Sequence, residues 1–378
     1  MKEFKIKNGL QAGRYLGSNG TETAGTLGYN LAGASYDSVS FSVASQDATP
    51  FGITFNNDGT KMYMVGLSTK VVYQYSLSTA FDLSTASYNS VSFSVASQDA
   101  SPRGIVFNTN GTKMYMAGAS TSNVFQYSLS TAFDLSTASY DSVSFNAFNP
   151  GVNPAYSLAF NNAGTKMYVA GGTGSVYQYS LSTAFDLSTA SYDSVSFSVA
   201  SQETPAGIVF NTNGTKMYVV GATNDSVFQY SLSTGFDLST ASYDSVSFSV
   251  AGQEVNPYDL ALNTNGTKMY VVGVTTDTIY QYSTAAYTQA LDLSTGTTFS
   301  FTPSGATTVS ITNPPATGIA IGFTVEIIGD ASAITWPSSV KWPAGVAPTA
   351  TATKELYTFV TTDGGTTYYG KKAAEGIS

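Results

Sequence analysis

The sequence predicts an all-β chain: a five-bladed β-propeller of four-stranded blades, followed by a small β-sandwich. Three observations carry this. The pentapeptide GTKMY begins at Gly59, Gly111, Gly164, Gly214 and Gly266, giving spacings of 52, 53, 50 and 52 residues. Each interval holds four short strand-like stretches, the arithmetic of a propeller blade. The composition agrees: of 378 residues only 10% are charged, while Gly numbers 35 and Tyr 26, a balance suited to short strands and tight turns.

Within the first copy the strands read GITF (52–55), KMYMVG (61–66), VVYQYS (71–76) and the alternating SVSFSV (90–95). The turn between the first two is NNDG or NTNG, where Asn or Asp followed by Gly supplies positive φ. The tripeptides at Asn110, Asn213 and Asn265 formally match glycosylation sequons, but Asp58 fills that position in the first copy, so the turn explains them better.

The array begins with an outer-type strand, SVSFSV at 38–43, and ends on a third strand, TIYQYS at 278–283, with no outer strand after it. The two ends are complementary. The N-terminal strand is expected to complete blade 5 and close the ring, which also removes exposed strand edges. The chain divides into 1–24, an attachment segment or linker; 25–283, the propeller; 284–291, a connector; and 292–378, the C-terminal module.

The copies differ in an ordered way. The connection LSTAFDLSTASYDS and the GTK turn are nearly constant, and in antiparallel blades both lie on one face of the disc. The loops that vary share the other face, which is therefore the candidate binding face. After each loop proline, where the inner strand enters the channel, stand Phe51, Arg103, Ala155 with Tyr156, Ala206, and Tyr258 with Asp259. Phe51, Arg103, Tyr156, Tyr258 and Asp259 are the candidate ligand-binding residues. Aromatic faces suit sugar C–H surfaces and charged groups fix hydroxyls, so a glycan is the expected ligand class; a plug of packed side chains is the alternative.

No enzyme is expected. There is neither Cys nor His, which excludes thiolate and imidazole chemistry. The inner strands contribute one carboxylate, Asp259, whereas glycoside hydrolysis needs two. Asp82, Asp134, Asp186 and Asp237 belong to Asx-type turns. The loop acids Asp47, Asp99, Glu203 and Glu254 are spread one per blade, too far apart to act as a pair, and a calcium site among them is the minor alternative. GGTGS (171–175) lacks the Lys and strand–helix setting of a phosphate-binding loop. No metal or cofactor is expected. With 15 basic and 24 acidic residues, net −9, and no basic run, nucleic acid is not an expected partner. No export signal or apolar run approaching 18 residues is present, so membrane insertion is not expected.

The C-terminal module contains strand-like stretches at 297–303, 307–313, 319–328 and 332–336, then a hairpin around Asp363-Gly364-Gly365. Both tryptophans precede prolines, Trp336-Pro337 and Trp342-Pro343, as core or subunit-interface anchors. The pattern ALDLSTGTTFSFTP…NPPATG…VKWPAGVAPT…FVTTDGGTTYYG resembles a C-terminal module of tail fibres and other structural proteins of tailed, especially marine, bacteriophages. The repeats resemble YVTN-like propeller repeats, and the two resemblances together cover residues 25–378. They imply a virion location, other virion proteins as partners through the N-terminal segment or the C-terminal module, a host-surface glycan as ligand, and a homo-oligomer, expected to be a trimer. A capsid or tail decoration protein and a bacterial surface adhesin remain alternatives. No site residues carry over from the resemblance.

Overall fold

In blades 1 to 4 the GTK turn is welded to the constant connection of its own blade, which explains why both recur unchanged. In blade 1, Gly59 lies at φ 71°, and a Cβ there would fall inside the Phe81 ring. Phe81, itself at φ 60°, donates its amide to the Gly59 carbonyl at 2.9 Å. Asp82 then caps a short 3₁₀ turn, Leu83–Thr85, by accepting from the Ser84 amide, the role expected of it.

The computed structural model describes residues 29–148, 151–285, 287–301, 307–328, 334–349, 351 and 353–377; the attachment segment expected at 1–24 lies outside them. Two compact units separate, Leu31–Thr284 and one holding Ala285–Ser378.

The first unit is a five-bladed β-propeller. Blade 1 comprises Pro50–Phe55, Lys61–Gly66, Val71–Leu77 and Ala86–Ser94. Blades 2 to 4 repeat this antiparallel order from Pro102, Ala155 and Gly207. Blade 5 is Pro257–Leu262, Lys268–Gly273 and Thr278–Ala285, with Asn30–Ser42 as its outer strand. The ring therefore closes through the N-terminal strand, as the phase of the repeat requires. Inner strands of neighbouring blades touch in the cyclic order 5-1-2-3-4-5.

Neighbouring blades cover both sides of each second strand, so KMYMVG is buried at every residue after its Lys. Such a two-sided environment selects a continuous apolar run. Tyr63, Tyr115, Tyr168 and Tyr270 are fully buried and donate their hydroxyls to Phe133, Phe185, Phe236 and Phe81 carbonyls of the next blade at 2.5–2.6 Å. A ring of glutamines ties each blade to the following one. Gln74, Gln126, Gln178, Gln229 and Gln281 accept from the amides of Leu135, Leu187, Leu238, Leu31 and Leu83 at 2.9–3.1 Å. The outer strands start earlier than the SVSFSV motif, at Ala86 in blade 1, and a bulge at Ser90 (φ 59°) divides them.

The C-terminal unit has two sheets around one core. Tyr287–Asp292, Thr307–Thr312 and Ile334–Thr335 form one; Thr298–Phe301, Ile321–Ile327, Lys354–Thr361, Tyr368–Ile377 and Val340–Lys341 form the other. The expected connector at 284–291 is corrected: 287–292 is a strand, paired in parallel with 307–312. The chain alternates between sheets over its first strands, so successive strands of one sheet run parallel and the sheets curl around their contents. Only Lys354–Thr361 and Tyr368–Ile377 make the expected hairpin. Trp336 packs on Tyr357 and Phe359 with Trp342 edge-on to it, which makes both tryptophans core anchors. Glu355, fully buried, accepts from Lys372 at 2.8 Å and from the Tyr357 hydroxyl at 2.7 Å.

Candidate functional site

The five loop prolines bring two stacked rings of residues to the channel. By repeat register the outer ring is Phe51, Arg103, Tyr156, Ala206 and Tyr258; beneath it lie Gly52, Gly104, Ser157, Gly207 and Asp259. The lower ring is close-packed. A Cβ on Gly104 would stand 2.9 Å from Ser157 Cα, and one on Gly207 2.6 Å from Asp259 Oδ1, so Gly there lets adjacent backbones approach.

Four of the five candidate residues meet. The Arg103 guanidinium carbon lies 3.5 Å above the Phe51 ring, with the Tyr156 and Tyr258 rings 5.3 and 5.4 Å away. Phe51 and Tyr258 stack edge to face at 4.4 Å. Arg103 Nε and Nη1 are buried without a conventional acceptor; the guanidinium lies instead in cation–π contact with the surrounding rings. Burial pulls the guanidinium pKa below its ordinary value, opposed by Tyr258 and Tyr156.

Asp259 does not join this cage. It turns into the lower ring, 5% exposed, and accepts from the Ile53 amide at 3.0 Å. Burial pushes its carboxyl up to about 8 against the opposing amides of Ile53 and Leu260. Ser157, not singled out from sequence, plays the same part by accepting from the Ile208 amide at 3.1 Å. Its place was readable from its register with Gly52 and Asp259, once Tyr156 rather than Ala155 is aligned with Phe51.

The loop acids are tethers. Asp47 accepts from the amides of Thr49 and Thr69, both at 2.8 Å, and Asp99 from those of Ser101 and Thr121. Glu203 and Glu254 bind the same two loops of their own blades. Each carboxylate thus clamps the loop before the inner strand onto the turn between second and third strands. In blade 3, whose loop reads NAFNPGVNP, the buried side chain of Val152 packs beside Gly171 instead. Among the described residues no group of three or more acidic side chains is arranged to hold a metal ion.

No protein-family model matches the chain, and no curated protein does. Solved structures resemble it distantly. A functionally unknown protein from Desulfotomaculum acetoxidans is 16% identical over 60% of this chain and 66% of its own, TM-score 0.40. A Bacteroides uniformis protein named as a candidate 6-phosphogluconolactonase is 14% identical over 59% and 63%, TM-score 0.39. The β-propeller domain of Cps50 (Swd1) from Myceliophteria thermophila is 10% identical over 67% and 100%, TM-score 0.39. Likenesses this distant carry no conclusion about activity.

Proposed function

We propose that this chain is a non-enzymatic virion structural protein, a tail fibre or appendage that presents its propeller to a host-surface glycan. The observation that carries the reading is the Arg103 cage of Phe51, Tyr156 and Tyr258 on the face whose loops vary. Aromatic walls offer apolar surface to a sugar ring, and the guanidinium is a donor for its oxygens. The resemblance of the C-terminal module to phage fibre proteins supports a virion location, assembly with other virion proteins, and a trimer whose several shallow sites act by avidity. The isolated Asp259, tied to a backbone amide, supports the non-enzymatic reading. A glycan array and host-adsorption assays with Phe51→Ala and Tyr258→Ala test it: both variants lose binding if the mouth is the site.

One observation favours a second reading, a decoration or adaptor protein that contacts only other virion proteins. Arg103 fills its own cage and so serves as a plug of the channel. Under that reading the same variants adsorb normally, and deletion of the C-terminal module blocks virion assembly.

A further inference from the structure

The seams between blades, on the uniform face, hold polar groups that the fold does not use. The seam between blades 5 and 1 forms an open cleft of about 630 Å³, within the range of small-ligand sites. Asn265, Thr267 and Lys268 line one wall; Phe81, Asp82 and Ser84 line the other. Most of their polar atoms are engaged. Lys268 is held by Asp37 at 2.6 Å, Asn265 Oδ1 accepts from the Thr267 amide and hydroxyl, and Asp82 Oδ1 accepts from the Ser84 amide and hydroxyl. Among the described residues, the Asn265 amide NH₂ and Asp82 Oδ2 have no partner.

We infer that this seam is a second binding site, for a neutral saccharide presenting adjacent hydroxyls. A free amide donor lines one wall of the cleft and a free carboxylate oxygen lines the other. One sugar hydroxyl donates to Asp82 while its neighbour accepts from Asn265. The ligand is neutral because Lys268 is already compensated by Asp37, so the remaining carboxylate repels anions.

The repeat extends the site to a second seam and withholds it from the others. In register with Asn265 stand Asp58, Asn110, Ala163 and Asn213; in register with Asp82 stand Asp134, Asp186, Asp237 and, by its sequence position before Leu31, Asn30. The hydroxyl donors of Tyr63, Tyr115 and Tyr168 fix which turn faces which connection: Asp58 with Asp134, Asn110 with Asp186, Ala163 with Asp237. Only seams 5–1 and 2–3 combine the amide with the carboxylate. At seam 2–3, Asn110 and Asp186 are engaged on Thr112 and Ser188 just as Asn265 and Asp82 are on Thr267 and Ser84. Seam 3–4 lacks the amide. The chain therefore carries two such sites.

This inference rests on the glycan-binding reading but uses different residues and a different face, so the two fail separately. The test is titration of the full chain with the methyl glycosides of glucose, galactose, mannose and N-acetylglucosamine, followed by NMR and calorimetry. One of them is expected to shift the side-chain amide signals of Asn265 and Asn110 saturably, marking two seam sites per chain. Ala163→Asn, which supplies the missing amide at seam 3–4, is expected to raise this to three. Asp82→Ala with Asp186→Ala is expected to weaken binding read at the Asn265 and Asn110 side-chain amides about tenfold or more. Absence of saturable binding by all four glycosides at these amides, or a stoichiometry that Ala163→Asn does not change, overturns the inference. Loss of host adsorption in the mouth variants with no seam binding would leave the proposed function standing alone.

Discussion

Asp37 and Lys268, 231 residues apart in sequence, meet at 2.6 Å across the closure of the ring. Gln281 and Ser283 donate to the same carboxylate at 2.9 and 2.6 Å. Burial works against the charge on Asp37, but hydrogen bonds from Lys268, Ser283 and Gln281 outweigh it and hold the carboxyl below its ordinary value. Asp141, Asp193 and Asp244 occupy the corresponding position in blades 2, 3 and 4 and are held in the same way.

Asp37→Ala should cost about 2 kcal/mol, because it leaves a half-buried lysine and two donors without their acceptor. Urea unfolding measures it. Removing residues 1–45 should go further and raise hydrogen exchange in Thr278–Ala285 of blade 5 as well as in blade 1, since the Leu83 amide of blade 1 bonds Gln281. Protection unchanged in 278–285 would contradict a shared closing blade.

Blade 1 has Asn89 at the position of these aspartates, and its Lys61 donates to the Phe133 carbonyl at 2.9 Å instead. Asn89→Asp supplies the missing carboxylate and should stabilise the chain by about 0.5–1 kcal/mol near neutral pH. In acid the gain disappears. Carboxyls held below their unfolded value contribute fully above about pH 4 and lose that contribution as pH falls through the folded value. Thermal melts at neutral and acidic pH test both signs.

Asp259 gives the opposite slope. Its folded carboxyl sits at about 8 against roughly 4 when unfolded, so between those values the folded state binds the extra proton. Its contribution is greatest below about pH 4, declines as pH rises, and is flat above about pH 8. Asp259→Asn keeps an acceptor for the Ile53 amide while removing the charge. It should raise stability at pH 8 by on the order of 5 kcal/mol and change little at pH 4; equal effects at both would show that the carboxyl does not titrate in this range.

Arg103 offers a cleaner separation of charge from volume. Arg103→Met fills the cage without the cation, whereas Arg103→Ala empties it. Loss of the cation–π contacts should cost about 1 kcal/mol in the first variant, and the second should lose more through the cavity. Equal midpoints for Arg103→Met and the parent chain would mean that the guanidinium is held by packing alone.

The repeat, its turns and its circular closure were legible because each depends on residues near in sequence or on the phase of the array. Gly59 and the 38–43 strand announce themselves. The Arg103 cage was half legible: register placed its members at one mouth, but only the packing tells that the guanidinium occupies the space between the rings and that Asp259 turns away from it. The strand at 287–292 was missed because TAAYTQAL carries neither strict alternation nor turn punctuation, and its pairing with 307–312 is a non-local parallel contact. The tethering acids were visible as a series, yet their partners lie about 20 residues on, in turns whose sequences vary while their backbone amides do not.

Closure by Asn30–Ser42 also sets a timetable for synthesis. Among the propeller's strands, the first to leave the ribosome has its partner, Thr278–Ala285, among the last parts of the propeller to appear. Blades 1 to 4 can each assemble from contiguous chain while this strand waits with an open edge. Its sequence, NLAGASYDSVSFS, is rich in serine and small residues and carries a charge, a composition that discourages premature pairing with another chain. The step that seals the ring is then a single long-range docking, with the slow loop closure such a contact entails.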